Sequence, residues 1–468
     1  MNPPLNIQDK AFQSHVFNAA REVMEIIRSR GCICLIVGGA VRDLLWDREV
    51  KDLDLATDMK PRDLARLFRT YHKGKSKYFE TVCVVYREKH FETTMFRGQE
   101  LSRMGPAPPQ EKKPLAFALD ALHRDFTINA MALDEDFILL DPYHGLQDLS
   151  NGIIRGVENP RERILEDELR ILRGLRLAAE LKMDLEHETA RCFRDLGGRL
   201  NRIAPERKGE ELLKMASLPG SDFARALELM DELGILAKLL PEIQALKRVP
   251  CYKSKPSQGN TFRHTLAAIQ ANTGTDPSLN LALLVHDVGK IGVLNIREHP
   301  AAYPGHGRSG LPLVKAMASR FKLPSRTTRA MLEVVANHMR MHKIHLLYPS
   351  QISRLIQNPC WPVLRAASIC DQDAQEQDGG IKQKKRIQRA INKVSRFLSG
   401  RNQDTLQVRP VITGRQVLKY TGIYSGPMVG RIIRETTDWA LDNYIQDETR
   451  ILEQAKYLAG LLQKNNGD

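Results

Sequence analysis

Two aspartates two residues apart, Asp52 and Asp54 in KDLDLAT, have the plainest chemistry in this sequence. Strand side chains repeat every two residues, so a strand here projects both carboxylates from one face. Side by side they can bridge two Mg²⁺ ions, one activating an attacking hydroxyl and the other clamping phosphate oxygens. Just upstream, the apolar run Cys32 to Val37 predicts a buried strand, and Gly38-Gly39 a turn where backbone approaches a ligand. Val41 to Trp46 then predicts a short helix, whose first N–H groups suit a triphosphate. Each half is common alone. Strand, Gly-Gly, helix and Asp-x-Asp strand within the 26 residues from 32 to 57 form a specific combination.

These residues need a scaffold. Residues 11–30 have helical spacing (Val16, Ala19, Val23, Ile26, Ile27) and predict a helix covering the first strand. Pro61 to Tyr71 predicts another helix. Phe79 to Tyr86 and His90 to Phe96 predict a hairpin that puts Glu92 and Thr94 on one face. A carboxylate on a strand next to the aspartates would complete a two-metal site. The Pro- and Gly-rich stretch 97–118 predicts a loop, and 139–157 predicts strand, turn, helix and strand. Residues 166–181 predict one helix carrying Asp167, Arg170 and Arg173 on a shared face. A carboxylate and a guanidinium held there can mimic a base edge, one accepting from an amino group and the other donating to a ring nitrogen or carbonyl. Residues 202–215 start a helix with Pro205 in its first turn, and 229–243 predict an apolar helix ending at Pro241.

A second constellation follows: His264, His286, Asp287, His306, His338 and Asp371, each at or near an apolar helical segment. Neutral imidazole with carboxylate binds divalent transition metals. Further on, the basic run 382–389 (KQKKRIQR) reads as a solvated helix face or an RNA-backbone contact. The segment 410–442 carries Gly414, Gly422, Gly426 and Gly430, either as a tight helical turn or as backbone N–H groups that hold phosphate.

The 468-residue chain is long enough for two to four domains. A net charge of +14 favours a polyanionic partner, and an aromatic content of 6% argues that phosphate contacts, not base stacking, carry the affinity. Seven scattered cysteines without Cys-x-x-Cys point to a reducing compartment and no zinc ribbon. No signal peptide or transmembrane run is expected, and the expected location is the cytoplasm.

GGAVRDLL (38–45), KDLDLAT (51–57), HRDFTINAMA (123–132), the Asp-Pro-x-x-Gly segment at 141–145, Glu-Asp-x-x-Arg at 166–170 and RIAPER (202–207) occur in order. Together they resemble the class II tRNA nucleotidyltransferase and bacterial poly(A) polymerase family. The resemblance implies an α/β, polymerase-β-like nucleotidyltransferase head followed by all-α domains, one of them HD-type. The domains expected are an N-terminal helix (1–30), the head (31–157), a nucleotide-selecting neck (158–245), the HD-type domain (246–400) and an RNA-contacting tail (401–468). It implies Mg²⁺ on the catalytic Asp52 and Asp54, helped by Glu92. Gly38, Gly39, Arg42, Asp43, Arg124, Asp125 and Asn129 bind the nucleotide at triphosphate and ribose, Asp167 and Arg170 choose the base, and Arg173 contacts phosphate. The Glu206-Arg207 segment is expected to brace the structure.

The second constellation resembles the HD superfamily of metal-dependent phosphohydrolases. That likeness makes His264, His286, Asp287 and Asp371 a quartet for a transition metal, with His306 and His338 as extra ligands. The implied partners are tRNA, CTP and ATP, with neither DNA nor membrane, and the oligomeric state is open. The implied reaction is addition of C and A to the tRNA 3′ end. Addition of CC only, of A only, or of poly(A) are the alternatives within the class, and HD phosphohydrolysis the alternative outside it. Two departures matter. His123 stands where the family has a first arginine. Ser102-Arg103-Met104 stands where CCA-adding enzymes carry an aspartate and a Gly-Arg pair, in a loop that helps the switch from C to A.

Overall fold

The computed structural model describes residues 7–50, 52–72, 81–97, 108–251, 259–293, 303–376, 378–398, 410–423 and 426–464. The chain divides into two compact units, Met1–Leu212 with Arg225–Leu239, and Leu213–Ala224 with Leu240–Asp468.

The first unit is built on a seven-stranded sheet. Its strands are β1 Cys34–Val37, β2 Asp54–Thr57, β3 Arg69–Tyr71, β4 Thr81–Tyr86, β5 Lys89–Met95, β6 Ala132–Leu133 and β7 Leu139–Leu140. Their order is β3-β4-β5-β2-β1-β6-β7. The β2–β5 pair is parallel and the other pairs are antiparallel. β1 is central and buried along its whole length, as its sequence CLIV requires. Helix α1 (His15–Arg28) packs on β1 and β5 through Phe17, Ala20, Val23, Met24 and Ile27, which recur at helical spacing. Helix α2 (Gly39–Leu45) follows the glycine turn. Helix α3 (Pro109–Leu122) buries Ala116, Phe117 and Ala121 against Leu35 and Val37 of β1. Truncating the fully buried Phe117 there would cost about 3–5 kcal/mol. Helices α4 (Pro160–Glu166), α5 (Arg170–Leu181) and α6 (Pro205–Ala216) come after the sheet.

Five expectations are corrected. The apolar helix expected over 229–243 is three, Gly220–Glu232, Leu236–Leu239 and Pro241–Ala245, interrupted at Gly234 with φ 67°, and Pro241 opens the last of them. The helix expected over 61–71 stops at Leu67, and Arg69–Tyr71 pairs with β4 instead, because a sheet edge was there to receive it. The loop expected over 97–118 gives way to α3 from Pro109, a proline tolerated in a first turn. Residues 98–107, including Ser102, Arg103 and Met104, lie outside the described residues. β2 starts at Asp54, so Asp52 precedes the strand. The single helix expected over 166–181 is two, broken at Asp167, whose φ is −153°.

The second unit is helical: α7 Thr261–Gln270, α8 Pro277–Val285, α9 His306–Arg320, α10 Ser325–His342, α11 Trp361–Gln375, α12 Gly379–Leu398, α13 Gly414–Thr421, α14 Pro427–Asp442 and α15 Glu448–Lys464. α8 (PSLNLALLV) is buried on every side from Ser278 to Val285, and it packs against α7, α10 and α11. Asn260 and Asp276 cap the starts of α7 and α8 with their side chains. Gly422, at φ 72°, ends α13. Among the described residues no helix is long and apolar enough to cross a membrane.

Candidate active site

β1 ends at the glycine turn and β2 begins at Asp54. Val37 and Asp54 are antiparallel register partners, so turn and carboxylate share one end of the sheet. On its other side Asp54 is the parallel register partner of Glu92. Adjacent strands lie about 4.8 Å apart, which brings the two carboxylates side by side. Asp52, Asp54 and Glu92 are all exposed, whereas Leu53, Leu55, Phe91 and Thr93 are buried. Asp52 therefore keeps the alternation even though it precedes the strand. Carboxylates grouped on an open face are the hard oxygen donors that Mg²⁺ takes.

The turn is shaped for close approach. Gly38 has φ 77° and ψ −137°, and a Cβ there would lie 3.3 Å from Nη1 of Arg124. α2 is a short helix, so the positive charge beside the turn comes from side chains. Arg124 is oriented by Asp120, whose Oδ2 accepts from Nε and Nη2 at 3.1 and 2.8 Å. Arg42 is buried. Its Nε and Nη2 donate to Asp43 at 2.9 and 2.8 Å, and its Nη1 donates to Oδ1 of Asn129 at 2.6 Å. Asn129 in turn donates to Oδ1 of Asp125 at 3.1 Å. Nε of Arg173 on α5 donates to Oδ2 of Asp125 at 2.9 Å. Burial pushes the Asp125 carboxyl up. Arg173, Asn129, Arg170 and the Phe126 N–H outweigh that and hold it at about 2.

The two residues expected to read the base are held differently. Asp167 ends α4; its Oδ1 accepts from the Leu169 N–H at 3.2 Å and its Oδ2 from Nη2 of Arg207 on α6 at 2.8 Å. Arg170 begins α5. Its Nη1 donates to the Arg163 carbonyl at 2.7 Å and to Glu166 at 2.9 Å, and its Nη2 donates to the His123 carbonyl at 2.6 Å. Arg170 and Arg173 still share a face of α5. Asp167 leaves it, because its side chain caps backbone beyond its own helix.

In the second unit His264, His286 and Asp287 offer donor atoms within one ligand sphere, and Asp287, His306 and His338 within another. Asp371 joins the first group, its Oδ1 being 3.0 Å from Nε2 of His264. Nδ1 of His286, His306 and His338 each faces a backbone carbonyl: Leu283 at 2.7 Å, Tyr303 at 2.8 Å and Val335 at 3.1 Å. A carbonyl only accepts, so Nδ1 carries the proton and Nε2 is left as the ligand atom. Nε2 of His306 and Nε2 of His338 are then 2.9 Å apart, a pairing of lone pairs that calls for a cation or a proton between them. Burial raises Asp287, but Lys290 and His286 hold its carboxyl well below the usual range; Asp371 is likewise raised by burial and held low by His264 and His342. This donor set fits a divalent transition metal.

Two family models match the chain. The poly(A) polymerase head domain covers residues 34–155, and the probable RNA- and SrmB-binding site of polymerase A covers 182–247. A CCA-adding enzyme from Streptococcus gordonii is 38% identical over 204 residues, which is 43% of this chain and 51% of that one. A multifunctional CCA protein from Laribacter hongkongensis is 31% identical over 348 residues, 72% of this chain and 82% of that protein. The chain belongs to the class II CCA-adding enzyme and poly(A) polymerase family.

Against the streptococcal and lactobacillar relatives the match spans about half their length, from 51% to 58%. The Bacillus stearothermophilus CCA-adding enzyme, solved with CTP, superposes with a TM-score of 0.69 at 23% identity, covering 97% of this chain and 100% of that one. The Thermotoga maritima CCA-adding enzyme, solved with tRNA, gives 0.61 at 19% identity, covering 98% and 100%. These likenesses show the family's fold: a polymerase-β-like head with a mixed sheet, followed by a mostly helical region.

Some residues of this family member were not singled out in the sequence. Asp120 sits four residues before Arg124, a helix pair that spacing alone would have offered. His342 stands one turn after His338, and its Nε2–H donates to Oδ2 of Asp371 at 2.8 Å. Lys290, three residues after Asp287, pairs with that carboxylate. Arg207 lies in the segment expected to brace the structure, and its pairing with Asp167 carries no local signal.

Proposed function

We propose that this chain adds C and A to the 3′ end of tRNA, using CTP and ATP and no nucleic-acid template. The observation that carries this reading is the shared register of Val37, Asp54 and Glu92, which gathers the glycine turn and the carboxylates at one sheet end. The family supports it, as do the names of relatives in which CCA addition is the stated activity. The folds solved with CTP, ATP and tRNA support it as well.

In the reaction the RNA 3′-hydroxyl attacks the α-phosphorus of the nucleoside triphosphate in line. A new P–O bond forms as the bond to pyrophosphate breaks. Asp52, Asp54 and Glu92 would hold Mg²⁺, which when bound activates the hydroxyl and neutralises charge on the attacking and leaving oxygens. Gly38 and Gly39 open the backbone to the triphosphate, and Arg124 and Arg42 supply positive charge beside it. Asp120 orients Arg124 and Asn129 orients Arg42, Asp125 ties Asn129 to Arg173, Asp43 holds the other side of Arg42, and Asp125 and Asn129 would serve the ribose. Arg207 donates to Oδ2 of Asp167 and fixes the orientation of that carboxylate. A carboxylate acceptor favours the exocyclic amino groups of C and A over the carbonyls of U and G. The free thiols of the seven cysteines agree with a reducing, cytoplasmic setting.

The deciding assay supplies Mg²⁺, CTP and ATP to three tRNA transcripts, lacking CCA, lacking only A, or mature. Products are resolved at single-nucleotide length. Completion of CCA on the first supports the reading. Stopping at CC, extending only the second, or making long adenosine tails moves it to the CC-only, A-only or poly(A) alternative.

The histidine and aspartate cluster favours a second activity in the helical unit. His264, His286, Asp287 and Asp371, with His306 and His338, would hold a divalent transition metal there, which when bound polarises a phosphate ester and activates water. Release of phosphate from nucleotides or RNA ends with Ni²⁺ or Co²⁺, absent from a His286→Ala variant, tests it.

A further inference from the structure

α12 carries seven cations and no acidic residue over Gly379–Leu398. Six of them, Lys382, Lys385, Arg386, Arg389, Lys393 and Arg396, recur at helical spacing. At about 100° per residue they fall in a stripe about 100° wide. Gln383, Ile387, Ala390 and Val394 form the buried face. Lys384 alone lies off the stripe, on the other flank. A merely solvated helix face mixes signs at these spacings; this one does not.

The surface next to the stripe continues the pattern. α12 packs against the turn Ile344–Leu346 and the helix Pro349–Ile356. The Lys393 ammonium donates to the His345 carbonyl at 2.6 Å. From Met339 to Tyr348 the chain has no acid, and it exposes Leu346 and Tyr348 at 68% and 65%. His345 is pushed down by burial and then by Arg386, Lys393 and Arg389, so these cations converge on one place. Of the acids nearby, Glu376 pairs with Lys382, Asp438 with Arg354 and Asp442 with Ser350, and Asp378 is exposed just before the helix, at the Lys382 end of the stripe.

We propose that the α12 stripe, flanked by Tyr348 and Leu346, binds the phosphate backbone of the acceptor RNA. It rests on the reading that RNA is the substrate, and it places a phosphate-binding surface in the helical unit. The stripe from Lys382 to Arg396 runs for about 21 Å. Ammonium and guanidinium groups along it release counterions from a polyanion of that reach, and the exposed tyrosine offers a ring for an unpaired base.

The test uses the full chain and a tRNA transcript lacking CCA, with binding followed by fluorescence anisotropy over a series of KCl concentrations. A Lys385→Ala/Arg389→Ala variant should bind about tenfold more weakly or worse, and the slope of log K against log salt should fall by about 1.5–2. Lys384→Ala, equally exposed but off the stripe, should keep the wild-type slope to within about half of that change. Both variants replace exposed side chains, and unchanged thermal unfolding confirms that they fold. Wild-type affinity and slope in the double variant would overturn the proposal. So would an equal loss in Lys384→Ala, or binding to phosphatidylglycerol vesicles that depends on the stripe while tRNA binding does not. A wild-type protein that extends no RNA yet binds it through the stripe would uphold this proposal and overturn the proposed reaction.

Discussion

Asp54 and Glu92 are directly paired across the parallel strands β2 and β5, and Asp54 is also paired with Val37, the last residue before the glycine turn. One strand position thus links the carboxylates to the glycine turn. Asp54→Ala should lower nucleotide incorporation by about a thousandfold or more, given the several kcal/mol that metal-held charge contributes. Glu92→Gln should cost less, and excess Mg²⁺ should recover part of its activity. Circular dichroism should be unchanged in both. Retained incorporation by Asp54→Ala would sink the catalytic assignment.

The contact between Arg207 and Asp167 predicts a change in nucleotide choice. Arg207→Ala frees the Asp167 carboxylate to rotate. Discrimination of CTP and ATP against UTP and GTP should fall by about tenfold, and Arg207→Lys should restore part of it. The measurement is kcat/KM for the four nucleotides on one primer. An unchanged ratio with a uniformly lower rate would leave Arg207 with a bracing role only.

Asp125 makes the first unit sensitive to acid. Its carboxyl is held at about 2 in the folded chain, against 3.8 as the ordinary value. A depressed carboxyl contributes stability that is complete above the unfolded value and disappears as the pH falls through the folded one. Asp125→Asn should therefore be destabilised by about 2 kcal/mol at neutral pH, with the gap to wild type closing between about pH 4 and pH 2. Thermal unfolding of the two proteins across that range measures it. A gap independent of pH would mean that the carboxylate charge contributes nothing to the fold.

The histidine cluster predicts a separable metal effect. Ni²⁺ or Co²⁺ in hundredfold excess over Kd should stabilise the helical unit by about 2.7 kcal/mol. His338→Ala should reduce that effect, and His286→Ala with Asp371→Ala should remove it. Incorporation of nucleotides by these variants, with Mg²⁺ present, should remain. Metal content after dialysis is the independent check.

The sequence made the carboxylate face legible because its signal is local. In Asp52-Leu53-Asp54 the buried leucine alternates with exposed acids whether or not Asp52 counts as strand. The histidine cluster was legible through residue type and order. The break at Asp167 was not, since a side chain that caps Leu169 looks, in a string of helix formers, like one more polar helical residue. β3 was hidden because it is only three residues long and directly follows a run with helical spacing, so its own residues carry no strand period. Pro109 and Pro114 made α3 read as loop, although a proline in the first turn is compatible with a helix and one further along was overridden by packing on β1.

Asp43, Arg42, Asn129, Asp125 and Arg173 form an unbroken chain of donors and acceptors, each bonded to the next. Its members come from three separate parts of the sequence, yet none can change alone without orphaning a largely buried neighbour. Drift at these positions has to proceed by correlated pairs. Charge-swapped or shortened partners introduced together should recover most of what either loses singly, and a functional variant of this chain with one altered link should carry a second altered link beside it.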